Sequence, residues 1–169
     1  INNPTPVAGD NFGISVSISA DGTRCIIGAY QEDTGASSAG SAYVYSRSGT
    51  TWSLEQEINN PTPVTSDIFG RSVSISADGT RCIIGAYLED TGADGAGSAY
   101  VYSRSGTTWS LEQEINNPSP VAGDNFGNSV SISADGTRCI IGAYQEDTSA
   151  DGASSAYVHP PPTSTIMTF

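Results

Sequence analysis

The sequence contains no lysine. All six basic residues are Arg, set against 18 Asp and Glu, so the formal net charge is −12. The missing amine excludes Schiff-base chemistry on a lysine side chain. The missing cationic cluster excludes nucleic acid as a partner, because phosphate binding requires Lys and Arg in number. No apolar run approaches the roughly 18–20 residues of a membrane-spanning helix, so membrane insertion is not expected. Histidine occurs once, at His159, with no Cys or Ser partner in a recognisable motif. Zinc hydrolysis and a Ser-His-Asp triad both need more than that. Three cysteines are present, Cys25, Cys82 and Cys139, without the CxxC spacing of a metal site. No segment shows the 3.6-residue period of an amphipathic helix. The 169 residues suit about one domain, long enough to bury a core.

The chain is built from a repeat. The string Ile-Asn-Asn-Pro opens at Ile1, Ile58 and Ile115, a period of 57 residues. The first unit is 1–57 and the second 58–114. They differ at a few positions, among them Asn11/Ile68, Ile14/Arg71, Gln31/Leu88 and Ser37/Asp94. The third unit, 115–158, keeps register through Tyr157-Val158. His159-Pro160-Pro161-Pro162 then opens a Pro-rich tail, 159–169. Near-identical repeats are expected to form near-identical stacked units. The opening at Ile1, where a Trp-Ser-Leu-Glu-Gln-Glu segment would have ended, leads to the expectation of a processed or excised piece of a longer chain.

Within one repeat the period is two. Ser15-Val16-Ser17-Ile18-Ser19 alternates polar and β-branched residues, as a half-buried strand does. Asp21-Gly22 is a tight turn. Cys25 to Ala29 is a continuous apolar run, hence a strand buried on both faces. Gln31 to Gly40 is a polar loop, and Ser41 to Tyr45 a third strand. Trp52 to Glu57 alternates again. Its Glu55 and Glu57 are expected to put like charges on an outer edge, which discourages edge-to-edge pairing. The prediction is an all-β chain of about three four-stranded antiparallel units with the third incomplete. Units of this size have the dimensions of β-propeller blades, in part of a ring or an open array.

Asp10-Asn11-Phe12-Gly13 followed by Ile27-Gly28-Ala29-Tyr30 resembles the Phe-Gly and Gly-Ala-Pro elements of FG-GAP repeats, with Tyr in place of Pro. The pair recurs at Phe69-Gly70 with Gly85-Ala86-Tyr87, and at Phe126-Gly127 with Gly142-Ala143-Tyr144. The resemblance implies propeller blades like those in the head of integrin α chains. Such modules mostly bind proteins or glycans, or serve as surface structure.

Closed propellers have about four to eight blades, so three leave two terminal faces in water. The chain is expected to be part of a longer ring, to pair into a six-bladed ring, or to stack head to tail into a filament. The third unit also lacks the outer-strand sequence. Either Ile166, Met167 and Phe169 supply a substitute strand for assembly, or the slot is open to strand addition, or the segment is a solvated linker.

Carboxylates are the only candidate ligands. Glu32, Asp33, Glu89, Asp90, Asp94, Glu146, Asp147 and Asp151 recur in the long loops, and clustered oxygen donors suit Ca²⁺. No other cofactor is expected. The integrin-type calcium loop, Asp-x-Asp-x-Asp-Gly, lies between the first two strands; here Ser19-Ala20-Asp21-Gly22-Thr23 is too short to wrap an ion. Asp10, Asp67 and Asp124 read as turn caps, and the cysteines as small buried hydrophobes. The pairs Tyr43/Tyr45 and Tyr100/Tyr102 fit blade packing or a sugar-stacking platform. No Asn-x-Ser/Thr sequon exists. The segments Pro4-Thr5-Pro6, Pro61-Thr62-Pro63, Pro118-Ser119-Pro120 and Pro160-Pro161-Pro162 are candidate sites of proline hydroxylation or O-linked sugar. Together these features point to a non-enzymatic extracellular or cell-surface module that self-assembles or adheres. The alternative is a ligand- or glycan-binding propeller fragment with Ca²⁺ in its acidic loops.

Overall fold

The computed structural model describes residues 1–146 and 154–160. Within them lie eleven strands and no helix. β1 (Val16–Ile18), β2 (Arg24–Ala29), β3 (Ser41–Ser48) and β4 (Thr51–Asn59) form one antiparallel meander in that order. β5 (Ser72–Ile75), β6 (Arg81–Ala86), β7 (Ser98–Ser105) and β8 (Thr108–Asn116) form a second. β9 (Phe126–Ile132), β10 (Cys139–Ala143) and β11 (Ser155–His159) form a third sheet of three strands. The sheets stand in an open row, as propeller-type blades do.

The strands follow the alternation in the sequence, and the turns follow its Asp-Gly pairs. Asp21 accepts hydrogen bonds from the Ser19 hydroxyl at 2.7 Å and the Thr23 N–H at 2.9 Å. Gly22, at φ 63°, supplies the left-handed residue that the turn requires. Asp78 and Asp135 repeat this arrangement in the next two blades.

Two details depart from the alternation. His159 is not in a tail: it closes β11 opposite Cys139, one residue beyond 158. In β4, Val44 pairs with Gln56 and Tyr45 with Leu54, so Glu55 is the extra residue of a β-bulge. The bulge turns Glu55 off the outer edge and into the blade. Its side chain is 1% exposed and pairs with Arg24 at 3.2 Å. The expected row of Glu55 and Glu57 as edge charges is therefore broken by the backbone itself.

The core lies between blades. One face of the first blade, with Ile26, Ala42, Val44 and Ile58, packs against Val73, Ile75, Cys82, Ile84 and Tyr100 of the second. Ile83, Ala99, Val101 and Ile115, on the second blade's far face, pack in turn on Val130, Ile132, Cys139 and Ile141 of the third. Each blade thus has a leading face, which receives the blade before it, and a trailing face, which receives the blade after it. Burial of an aliphatic side chain contributes about 1.5–3 kcal/mol, so these seams are the main source of stability.

Candidate functional site

The seams join backbone to backbone. In the second blade, the Gly70 N–H donates to the Gly85 carbonyl at 3.0 Å, tying the Phe-Gly turn to the Gly-Ala strand. The Gly70 carbonyl then accepts from the Ser15 hydroxyl of the first blade at 2.9 Å. A Cβ on Gly28 would lie 1.9 Å from that same carbonyl oxygen. Only glycine permits so close an approach. The next seam repeats it: Ser72 donates to the Gly127 carbonyl at 2.8 Å, and a Cβ on Gly85 would meet that oxygen at 2.0 Å. Further bonds run alongside, from the Ile75 N–H to the Ser17 hydroxyl at 3.1 Å and from the Ala20 N–H to the Ala77 carbonyl at 2.9 Å. The aromatic half of the Phe-Gly pair stays at home. Phe12 packs edge-on to Tyr43, and Phe69 to Tyr100, each within its own blade.

An outer clamp reinforces the first seam. Trp109 of β8 donates its indole N–H to Glu55 at 2.9 Å. Its backbone N–H donates to the Gln56 side-chain oxygen at 2.7 Å, and its carbonyl accepts from the Gln56 amide at 3.0 Å. Sequence reasoning missed this clamp, because it depends on the bulge that aims Glu55 inward.

At the two ends the same residues meet water. Val16 and Ile18 on the first leading face are 67% and 58% exposed, whereas their equivalents Val73 and Ile75 are 8% and 6% exposed. Ile140 and Val158 on the third trailing face are 45% and 63% exposed, against 0% and 4% for Ile83 and Val101. Ile1, itself exposed, lines an open apolar hollow on the leading face with Val16, Ile18, Cys25, Ile27 and Trp52. Ile58 occupies the corresponding place between the first and second blades.

The carboxylates serve their own loops. Glu32 accepts from the Thr34 N–H at 2.9 Å and from the Thr34 and Ser41 hydroxyls at 2.8 Å. Glu89 is held in the same way by Thr91 and Ser98. Asp33 accepts from the Ser38 N–H at 2.7 Å, and Asp90 from the Gly95 N–H at 2.8 Å. Asp94 braces the next blade through its carbonyl, which accepts from the Gly123 N–H at 2.9 Å. Glu146 is buried and accepts from the Tyr157 hydroxyl. Among the described residues no three His, Cys, Asp or Glu side chains gather as a metal site would require. Asp147 and Asp151 lie outside the described residues, as do Ile166, Met167, Phe169, Pro161 and Pro162.

Asp10, Asp67 and Asp124 are turn caps. Each accepts from the N–H three residues before it, at Val7, Val64 and Val121, and from a nearby Asn amide. Burial pushes the Asp67 carboxyl above its ordinary range against these bonds. The three cysteines are free and buried, and desolvation raises their thiols. Tyr43, Tyr45, Tyr100 and Tyr102 are all buried, so their rings form no sugar-stacking platform. Burial lifts the Tyr43 phenol to about 12. Pro4, Thr5, Pro6, Pro61, Thr62, Pro63, Pro118, Ser119, Pro120 and Pro160 are exposed.

Stacked four-stranded meanders joined through glycine seams define a propeller-type repeat protein. The profile of the FG-GAP repeat family matches residues 6–45, 52–102 and 109–159, and the chain belongs to that family. No curated protein matches it significantly. Among solved structures, it is similar to hydrazine synthase of Kuenenia stuttgartiensis, with 14% identity, a TM-score of 0.55, and 94% of this chain and 35% of that one covered. It is also similar to the periplasmic gluconolactonase of Pseudomonas aeruginosa, with 15% identity, a TM-score of 0.57, and coverage of 86% and 38%. A complex of KlAtg21 with the coiled coil of AgAtg16 aligns at 12% identity and a TM-score of 0.58, with coverage of 88% and 40%. The chain therefore spans well under half the length of each structure. At these identities the likeness is one of fold alone.

Proposed function

We propose that the chain is a non-enzymatic extracellular or cell-surface module that assembles with further copies of itself through its two end faces. One observation carries this reading. The exposed Val16/Ile18 and Ile140/Val158 pairs are repeat equivalents of residues buried in the internal seams. Each internal seam is thus a template for a contact between copies. In that contact, Ser129 of one copy donates to the Gly13 carbonyl of the next, as Ser15 donates to Gly70. The Ser131 hydroxyl accepts from the Ile18 N–H, as Ser17 accepts from Ile75. The contact is heterologous. It closes if two copies complete a six-bladed ring and otherwise propagates as a filament. The placement outside the cell follows the family likeness to integrin α heads.

The net charge of −12 opposes association, so salt should promote it. Light scattering on the purified chain tests the reading. Masses above the 17.4 kDa monomer are expected, rising with protein and salt concentration. Val16→Glu and Val158→Glu each spoil one face and should each give monomers. Mixing the two variants should give dimers only, because one intact leading face then meets one intact trailing face. A wild-type chain that stays monomeric at every concentration overturns the proposal.

A further inference from the structure

The third blade has no counterpart of β4 or β8 among the described residues, and the second blade records its absence. Gln113 is the repeat equivalent of Gln56. The Gln56 side-chain oxygen accepts from the Trp109 backbone N–H at 2.7 Å, whereas the Gln113 Oε1 is buried without a hydrogen-bond partner among the described residues. A buried acceptor left unpaired costs about 1–3 kcal/mol. Beside it lies a recess lined by Val101, Gln113, Ile132, Arg138, Cys139 and Pro160. The equivalents of four of these, Val44, Gln56, Ile75 and Cys82, surround Trp109 at the first seam, three as members of one apolar cluster and Gln56 through its paired bonds. Glu112 completes the parallel. Glu55 divides itself between Arg24 and the Trp109 indole, whereas Glu112 has only Arg81 among the described residues, at 2.8 and 2.9 Å.

We propose that this recess is a docking site for an extended polypeptide segment with the outer-strand sequence of the repeat, Thr-Trp-Ser-Leu-Glu-Gln-Glu, anchored by its Trp. The segment adds to the edge of β11 that pairs with no other described strand. Its Trp packs over the mouth of the recess, and the Gln113 side chain takes the backbone N–H and carbonyl of that Trp, as Gln56 does for Trp109. Glu112 accepts the indole N–H. Main-chain pairing with the strand supplies affinity, and the contacts of the indole supply specificity. The occupant is a segment of this repeat because a segment of this repeat, β8, fills the same arrangement one seam earlier. The site rests on blade completion, as the end-face reading does, but it does not require the end faces themselves.

A fluorescein-labelled peptide with the sequence of residues 108–116 tests it by anisotropy against the full chain. Saturable binding is expected, weakened at least tenfold by Trp→Ala in the peptide and by Gln113→Ala in the protein. Gln113→Ala should leave the melting temperature unchanged or raise it, since it removes an oxygen that bonds nothing among the described residues. Peptide binding that survives Val16→Glu and Ile140→Glu separates this site from the end faces. No binding to the wild-type chain, or binding indifferent to both Ala substitutions, overturns the proposal. So does binding that appears only in an Ile166→Asp/Met167→Asp variant, which would assign the recess to the chain's own C-terminal segment.

Discussion

Trp109 donates its indole N–H to Glu55 across 2.9 Å and 54 residues of sequence, from the outer strand of one blade to that of the blade before. The Glu55 side chain is almost wholly buried and also holds Arg24. Glu55→Ala leaves a half-buried guanidinium and an indole N–H without this acceptor, at an expected cost of about 1–3 kcal/mol. Its repeat equivalent Glu112 is more exposed and, among the described residues, pairs with Arg81 alone, so Glu112→Ala should cost about 1 kcal/mol or less. Urea denaturation of the two variants checks the contrast. Equal losses would mean that the Trp109 bond contributes nothing.

How far the sequence announced this can be judged at the same strand. The repeat, the meander, the Asp-Gly turns and the Phe-Gly and Gly-Ala pairs were all legible, because each is a local pattern with a local cause. The alternation Trp52 to Glu57 was legible too, but it misplaced Glu55, because a bulge adds one residue without changing the pattern on either side. The Gln56–Trp109 bonds lay beyond reach for another reason. They join residues 53 apart, across a seam that exists only once two blades have stacked. The acidic loops show a different limit. Composition offered calcium ligands, and the fold turned Glu32, Asp33, Glu89 and Asp90 toward their own Ser, Thr and Gly partners.

Asn11 donates to Gln31 in the first blade, and Asn125 to Gln145 in the third. The second blade has Ile68 and Leu88 at these positions, an apolar pair in place of a polar one. The substitutions are concerted, so each alone is expected to be harmful. Ile68→Asn or Leu88→Gln places one amide against an aliphatic neighbour and should cost about 1–3 kcal/mol. The double variant should recover most of that loss, with a coupling of about 1–2 kcal/mol. It also relieves a β-branched residue at φ 63°, a conformation that Asn tolerates better. A double-mutant cycle by thermal or urea unfolding measures the coupling. Simple additivity would sink the pairing.

The turn aspartates set the acid limit. Hydrogen bonds from Ser19 and Thr23 hold the Asp21 carboxyl down at about 2, and Ser133 and Thr137 do the same for Asp135. Asp78 is lowered by Ser76 in the same way. A carboxyl whose folded pKa lies below its unfolded value of about 3.9 contributes stability above that value and loses it as pH falls toward the folded pKa. Stability should therefore decline between about pH 4 and pH 2. Asp67 and Glu57, which burial pushes upward, work against the decline in the same window and above it. Asp21→Asn and Asp135→Asn should each flatten the acid limb of a plot of melting temperature against pH. Carboxyl NMR titration should find both aspartates still ionised at about pH 3. Midpoints near 4 for either would refute the turn as the cause.

Gly28 and Gly142 are repeat equivalents with different neighbours. A Cβ on Gly28 would meet the Gly70 carbonyl oxygen at 1.9 Å, backbone that cannot move without opening the seam. Gly28→Ala should cost at least about 3 kcal/mol, as overpacking against rigid surroundings does. A Cβ on Gly142 would meet chiefly the Ser129 hydroxyl, at 2.4 Å. Ser129 is exposed and can rotate aside, so Gly142→Ala should cost about 1 kcal/mol or less. Its effect on association should be the reverse. Against a second copy, the added methyl would face the Gly13 carbonyl as Gly28 faces Gly70. A folded Gly142→Ala chain should therefore remain monomeric at concentrations where the wild type assembles. Calorimetry reads the first half of this prediction and light scattering the second. A Gly142→Ala chain that keeps both its fold and its wild-type association would show that the end faces do not join as the internal seams do.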